Sequence, residues 1–127
     1  MKTSNQDRTL TAELNCQPQF IDLRLSGELD RNLAYQICKD TVGTAKSTDL
    51  NEVLLDIRPM IGRETYYELF QSVNQYPSDL RFLRIAVLEH QNEMERGTFH
   101  ENVAVNRGFQ IRYFTRENDA LNWLVGA

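Results

Sequence analysis

The residue types best suited to binding chemistry are concentrated in one short stretch, RPMIGRETYYELF, at residues 58–70. It contains two arginines, and an arginine side chain can hold a carboxylate or a phosphate through two parallel hydrogen bonds. A glycine and the start of a predicted helix accompany them, where free backbone N–H groups attract negative charge. We interpret the stretch as a binding site for an anionic group, or alternatively as a structural corner that only turns the chain. The candidate binding residues are Arg58, Gly62, Arg63, Thr65 and Tyr67.

Catalysis has weaker support in the sequence. Asp56 follows a predicted buried strand, and acids at the carboxyl ends of such strands often point into a crevice. However, the sequence contains no glycine-rich phosphate loop, GxSxG turn or HExxH motif that would supply a partner. We therefore interpret Asp56 as a loop cap or as the ion-pair partner of Arg58. The sequence predicts a protein that is not an enzyme, with no catalytic residues and no cofactor.

Metal binding is not indicated either. Cys16 and Cys38 are far apart and form no CxxC motif. His90 and His100 fall in separate predicted elements, and the acids near them are typical of a solvated helix surface. The sequence therefore predicts neither a metal site nor a redox-active pair of cysteines.

Length and composition are typical of one globular domain. The chain has 127 residues, of which 41% are hydrophobic and 25% are charged, enough to build a single core. The net charge of −4 comes with no basic run, which argues against nucleic acid as a partner. Residues 1–7 are polar and expected to be disordered. They resemble no signal peptide, and no apolar run is long enough to span a membrane, so we expect a cytoplasmic protein.

Apolar periodicity predicts five strands and four helices. The predicted strands cover residues 9–15, 20–27, 53–57, 82–88 and 109–113. The predicted helices cover residues 31–46, a segment from near Arg63 to the residue before Pro77, a segment from Asn92 to Gly108, and a segment capped by Thr115. Trp123 is expected to pack against the sheet from the last helix.

The order of these elements predicts the architecture. The first two strands form a hairpin, and each later strand is preceded by a helix. Alternation of this kind is typical of a parallel sheet covered by helices, here with an antiparallel hairpin at its edge. The nearly continuous apolar runs at residues 53–57 and Arg84–Leu88 are expected at the centre. The predicted fold is a single α/β domain over residues 1–127.

Four stretches carry a resemblance to a known family: VLLDIR, RIAVL, NVAVNRG and FTRENDALNWL, in the C-terminal three fifths of the chain. Read with the element order, they resemble the STAS superfamily. The resemblance is closer to the branch that includes the sporulation anti-sigma factor antagonist and the lipid-binding CRAL-TRIO proteins. It implies a non-enzymatic regulatory or protein-interaction module with a protein partner, and it allows for a homodimer. The alternative is a protein that binds a small anionic or lipidic ligand with its 58–65 loop and the helix start.

The resemblance also implies a regulatory position. Antagonists of this family carry a phosphorylated serine in the loop that follows the third strand. In this chain the corresponding loop, residues 58–65, contains no serine. Thr65 supplies its hydroxyl group at the predicted helix start, where a phosphate would lie near free amides. Thr65 is therefore the candidate phosphorylation site.

Overall fold

The computed structural model describes residues 8–126, and the predicted disorder of residues 1–7 lies outside that range. Within it, the chain forms a six-stranded sheet flanked by four helices. The strands are β1 (Thr11–Cys16), β2 (Ile21–Glu28), β3 (Glu52–Asp56), β4 (Met60–Ile61), β5 (Arg84–Leu88) and β6 (Gln110–Phe114). The helices are α1 (Arg31–Thr48), α2 (Tyr66–Gln75), α3 (Met94–Asn106) and α4 (Glu117–Val125). Short 3₁₀ turns, Ser78–Phe82 and Gln91–Glu93, precede β5 and α3.

The sheet is mixed and mostly parallel. Its strand order is β1-β2-β3-β5-β6, and β4 pairs with β2 outside this path. β1 runs antiparallel to β2, with Thr11 opposite Ser26, whereas the other strand pairs are parallel. The predicted α/β fold with its edge hairpin is confirmed, and β3 and β5 lie in the interior of the sheet. The sequence does not predict β4, because two residues are too few to show an alternating pattern.

The helices divide between the two faces of the sheet. The three connections β2–α1–β3, β3–α2–β5 and β5–α3–β6 each lead to the neighbouring strand, always toward the same edge of the sheet. Because such parallel connections are right-handed, α1, α2 and α3 lie on one face. α4 follows the last strand and packs on the opposite face against β3, β5 and β6. A large hydrophobic cluster lies on the first face, and a smaller one lies around Leu54, Ala86 and Leu88 on the second. None of the helices within residues 8–126 combines the length and hydropathy needed to cross a membrane.

The start of α2 differs from the prediction. The helix begins at Tyr66 and not near Arg63. Thr65 is its N-cap: the Thr65 hydroxyl accepts a hydrogen bond from the Glu68 backbone, and the Glu68 carboxylate accepts one from the Thr65 backbone. This reciprocal capping box fixes the first turn. Gly62, with a φ of 88°, therefore lies in the loop before the helix and contributes no amide to its first turn.

Two other predicted caps are wrong. Asn92 lies within a 3₁₀ turn, and α3 begins after that turn at Met94. Thr115 does not cap α4, whose N-cap position is Arg116 without a side-chain hydrogen bond. Trp123 packs against the smaller cluster, as expected, but its side chain is only half-buried.

Candidate functional site

A cavity of about 780 Å³ lies between the sheet and the three helices on its first face. Its floor comes from four neighbouring strands, because side chains at alternate strand positions point to the same face. The floor residues are Leu23, Leu25, Val53, Leu55, Ile85, Val87, Ile111 and Tyr113. Six of these side chains also belong to the large hydrophobic cluster and are only 1–8% exposed. The floor therefore offers few hydrogen bonds to a molecule in the cavity, and its most accessible members are Leu55 and Tyr113.

The first half of α1 forms one wall of the cavity without packing closely on the sheet. The buried residues of this helix, Thr41, Val42 and Ala45, all lie in its second half. In the first half, Leu33 and Tyr35 are 38% and 42% exposed. Because α1 approaches the sheet with only its second half, space remains beneath its first turns.

The opening of the cavity lies between α1 and α2, where Asn32 and Gln75 are both exposed and part of the lining. A polar link crosses this opening. Arg31 Nε lies 2.8 Å from Glu64 Oε2, and Ser72 Oγ donates to the same oxygen over 2.7 Å. The Glu64 side chain is only 15% exposed, so the link is partly shielded from water. It joins the first turn of α1 to the middle of α2.

Three polar side chains line the cavity where α2, α3 and β6 meet. The Tyr76 hydroxyl lies 2.7 Å from His100 Nε2, and His100 Nδ1 lies 2.6 Å from the Tyr113 hydroxyl. Burial lowers the pKa of His100 to about 4, so the imidazole is neutral at pH 7. Burial also raises the pKa of both tyrosine hydroxyls, which stay protonated. The three side chains form an uncharged hydrogen-bonded chain, called here the Tyr–His–Tyr chain.

Arg63 holds the loop at one end of the cavity. Its Nε and Nη2 atoms donate to the two carboxylate oxygens of Glu89 at 2.7 and 2.9 Å. Nη1 donates to the carbonyl oxygens of Met60 and Gly62, and Nη2 also donates to that of Ile57. These bonds use all five N–H donors of a guanidinium group. Because the two charged side chains are only 11% and 3% exposed, Arg63 is a buried clamp with no donor left for a ligand.

Arg58 is engaged by a different carboxylate. Its Nε and Nη2 atoms donate to the two oxygens of Asp56, each over 2.9 Å. Burial alone would raise the pKa of Asp56, but hydrogen bonds from Arg58 and the charges of Arg58 and Arg24 outweigh it, so the pKa lies below its usual value. Asp56 lines a separate cavity of about 130 Å³, whereas Glu89 lines the large one. The structure therefore does not bring Arg58 and Arg63 into one site.

The remaining predicted site residues lie outside the large cavity. Of the five, only Arg63 is part of its lining. The Thr65 hydroxyl is occupied in the capping box. Tyr67 is 70% exposed on the surface of α2. Gly62 turns the loop and offers its carbonyl oxygen to Arg63.

Sequence reasoning missed the Tyr–His–Tyr chain. Its members are separated by 24 and 13 positions, so no local spacing links them. The sequence suggests only a metal-binding role for His100, and no ligand spacing supports that role. The spacing of Gly97, His100 and Ala104 could have indicated that His100 is buried, because the three residues share one face of α3. The two small residues leave room for a ring against the sheet.

The fold is similar to that of two solved structures. One is an anti-sigma factor antagonist from Mycobacterium paratuberculosis, with a TM-score of 0.55, 13% identity, and coverage of 93% of this chain and 96% of that chain. The other is an uncharacterized protein with a SpoIIAA-like fold from Shewanella loihica, with a TM-score of 0.56, 17% identity, and coverage of 91% and 93%. This chain has the SpoIIAA-like fold. The predicted resemblance to the STAS superfamily is confirmed at the level of fold. No protein-family model matches the sequence, and no curated protein does.

Proposed function

We propose that this protein is a non-enzymatic module that binds a mainly apolar small molecule in the cavity between the sheet and α1, α2 and α3. The observation that carries the proposal is the cavity volume of about 780 Å³. Ligand sites in proteins typically measure roughly 300 to 1,000 Å³ and combine an apolar lining with a few polar groups. This cavity has the same size and the same kind of lining.

An apolar occupant would stabilise the fold, because it would cover apolar side chains that otherwise face water in the cavity. Ala34 and Ile37 on α1 are only half-buried and line the cavity, so they would gain contacts from an apolar occupant. A ligand that binds only the folded state stabilises it by mass action.

The sequence allows a lipidic or an anionic ligand. The hydrogen bonds of the two arginines favour the lipidic one. An anion at the 58–65 loop would need donors from its arginines, and those of Arg63 are all used within the protein. Arg58 would have to exchange Asp56 for the ligand. Anion binding by the five predicted residues stays a prediction, and substitution of Arg63 tests it.

A regulatory protein-interaction module is the second candidate, favoured by the fold shared with an anti-sigma factor antagonist. Tyr67 and Phe70 on α2 are 70% and 40% exposed, and the Arg107 guanidinium lies 5.2 Å from the Phe70 ring. Aromatic and arginine side chains are enriched at protein interfaces. Leu69 of the same helix lines the cavity, so a ligand that shifts α2 would also move this surface. Phosphorylation of Thr65, the N-cap of α2, would act on the same helix.

Native mass spectrometry of protein purified without organic solvent tests both candidates. A bound molecule predicts a species heavier than the chain alone, and the added mass should disappear after solvent extraction. A second copy of the chain would instead appear as a dimer. The extracted protein should then bind the apolar dye N-phenylnaphthylamine and increase its fluorescence.

Two matched variants assign dye binding to the cavity. Ala34→Phe places a ring inside it and should weaken dye binding by about tenfold or more, a change of at least about 1.4 kcal/mol. Its melting temperature should be unchanged or higher, because the ring fills empty space. Ala12→Phe makes the same change at an exposed position of β1 and should bind the dye like the wild type. Absence of dye binding by the extracted wild type, or equal binding by all three proteins, would contradict the proposal.

A further inference from the structure

The Tyr–His–Tyr chain contains more hydrogens than its own contacts use. Two hydroxyl groups and one neutral imidazole carry three polar hydrogens between them. The chain has two contacts, from His100 to Tyr76 and from His100 to Tyr113, and each contact takes one hydrogen. Whichever imidazole nitrogen is protonated, one tyrosine hydroxyl keeps a hydrogen that His100 does not accept.

The spare hydroxyl hydrogen has no acceptor among the residues that the structure describes. Tyr76 and Tyr113 both line the cavity, and His100 is the side-chain partner of each hydroxyl. A buried donor without an acceptor costs about 1–3 kcal/mol, so buried polar groups are nearly always paired. An acceptor for this hydrogen therefore has to reach it from inside the cavity, as a water molecule or as an oxygen atom of a bound molecule that displaces the water.

The charges around the cavity indicate what kind of acceptor fits. Each of the three cations in the lining already has a carboxylate partner: Arg31 pairs with Glu64, Arg63 with Glu89, and Arg96 with Glu93. A ligand carboxylate or phosphate would enter a wall whose positive charges are already balanced. Burying such a charge without a counter-ion is strongly unfavourable.

A second unused donor strengthens the case for a ligand oxygen. Arg96 lines the cavity, and its Nε atom is buried without a hydrogen-bond partner in the described residues. Arg96 lies four residues before His100 on α3, and residues at that spacing share one face of a helix. A carbonyl oxygen has two lone pairs and can accept from more than one donor.

We infer that the ligand is an uncharged apolar molecule with an oxygen acceptor, such as a ketone or ester carbonyl, which accepts the spare hydrogen of the Tyr–His–Tyr chain. This inference rests on the proposed function, since it requires a ligand in the cavity. It goes beyond the proposed function because it places the polar group of the ligand at the end of the cavity where the Tyr–His–Tyr chain lies. It also excludes a free carboxylate as the preferred head group.

A matched series of twelve-carbon compounds tests the head group: dodecanone with a terminal methyl ketone, dodecanol, dodecanoate and dodecane, each competing with N-phenylnaphthylamine at pH 8. Dodecanone should bind roughly fivefold to tenfold more tightly than dodecane, the gain expected from one net hydrogen bond. Dodecanoate, ionised at this pH, should bind more weakly than dodecanone. Dodecanoate binding as tightly as dodecanone would overturn the inference, and displacement by no compound would instead overturn the proposed function.

The infrared stretch of the carbonyl group reports the hydrogen bond directly. In the wild type, bound dodecanone should absorb at a lower frequency than dodecanone in hexane. Tyr76→Phe with Tyr113→Phe should move the frequency toward the hexane value while dodecane binding is retained. Tyr35→Phe removes a hydroxyl elsewhere in the same lining and should leave the frequency unchanged.

Two outcomes of this experiment would overturn the inference. The first is a wild-type frequency equal to that in hexane, and the second is an equal shift in the double variant. If the double variant does not fold, the two single variants are measured in the same way. At least one of them should then raise the frequency, because it lacks the hydroxyl that donates to the carbonyl group, and the hydrogen still spare in that variant lies on a different atom.

Discussion

Replacing Arg63 distinguishes a structural clamp from an anion-binding residue. Arg63→Ala removes all five donors, leaves the Glu89 carboxylate buried at 3% exposure without its partner, and deprives three backbone carbonyls of theirs. Breaking a buried ion pair on one side typically costs about 3–5 kcal/mol. We therefore expect a loss of about that size in the free energy of unfolding, measured by urea denaturation and circular dichroism.

Further variants test whether the stability depends on the hydrogen bonds of Arg63 or only on its charge. Arg63→Lys keeps the charge but offers three donors in place of five, so it should recover only part of the stability. Arg63→Met with Glu89→Met removes both charges and should be more stable than Arg63→Ala, because no buried charge is left unpaired. The clamp would be refuted if Arg63→Ala kept the wild-type urea midpoint and lost only the binding of phosphate or dicarboxylates. That result would restore the anion site at residues 58–65.

Three further predictions concern a cap, a close packing contact and acid stability. Thr65→Ala should lower the free energy of unfolding by about 1 kcal/mol, the usual value of an N-cap, with Thr65→Ser close to wild type in the same urea titration. Gly97→Ala should destabilise the protein and weaken dodecanone binding measured by dye displacement, because a β-carbon there would lie 2.5 Å from Tyr113 Cδ2. His100 takes up a proton near pH 6.5 in the unfolded chain but only near pH 4 in the folded protein. The free energy of unfolding is therefore highest above pH 6.5 and falls by roughly 1.4 kcal/mol per pH unit between pH 6.5 and 4. Urea titrations between pH 7 and 4 should show this loss in the wild type and not in His100→Gln. An equal pH dependence of the free energy of unfolding in the two proteins would contradict a lowered pKa of His100 in the folded state.

The sheet was predictable because its signal is local. The runs at β3 and β5 are apolar on both faces, and such runs occur where helices cover a parallel sheet on both sides. The start of α2 was also readable in principle, since Thr65 and Glu68 form the T-x-x-E pattern of a capping box. The prediction near Arg63 failed because it followed the apolar stripe and not this pattern.

The cavity was not predictable from the sequence. Ala34, Ile37 and Cys38 give α1 an apolar stripe that looks the same whether it packs on the sheet or on a ligand. What decides between the two is the distance between α1 and the sheet, which depends on tertiary packing. The Tyr–His–Tyr chain depends in the same way on distant elements meeting, and no residue spacing encodes it.

The position of the ligand tests the central claim most directly. Isotope-edited nuclear Overhauser spectroscopy, with carbon-labelled dodecanone bound to the protein, measures which side chains the ligand touches. We predict contacts from its alkyl chain to the methyl groups of Leu55, Val87 and Ile111 on the floor of the cavity. Contacts only to exposed groups such as Tyr67 and Phe82, with none to the floor, would contradict ligand binding in the cavity.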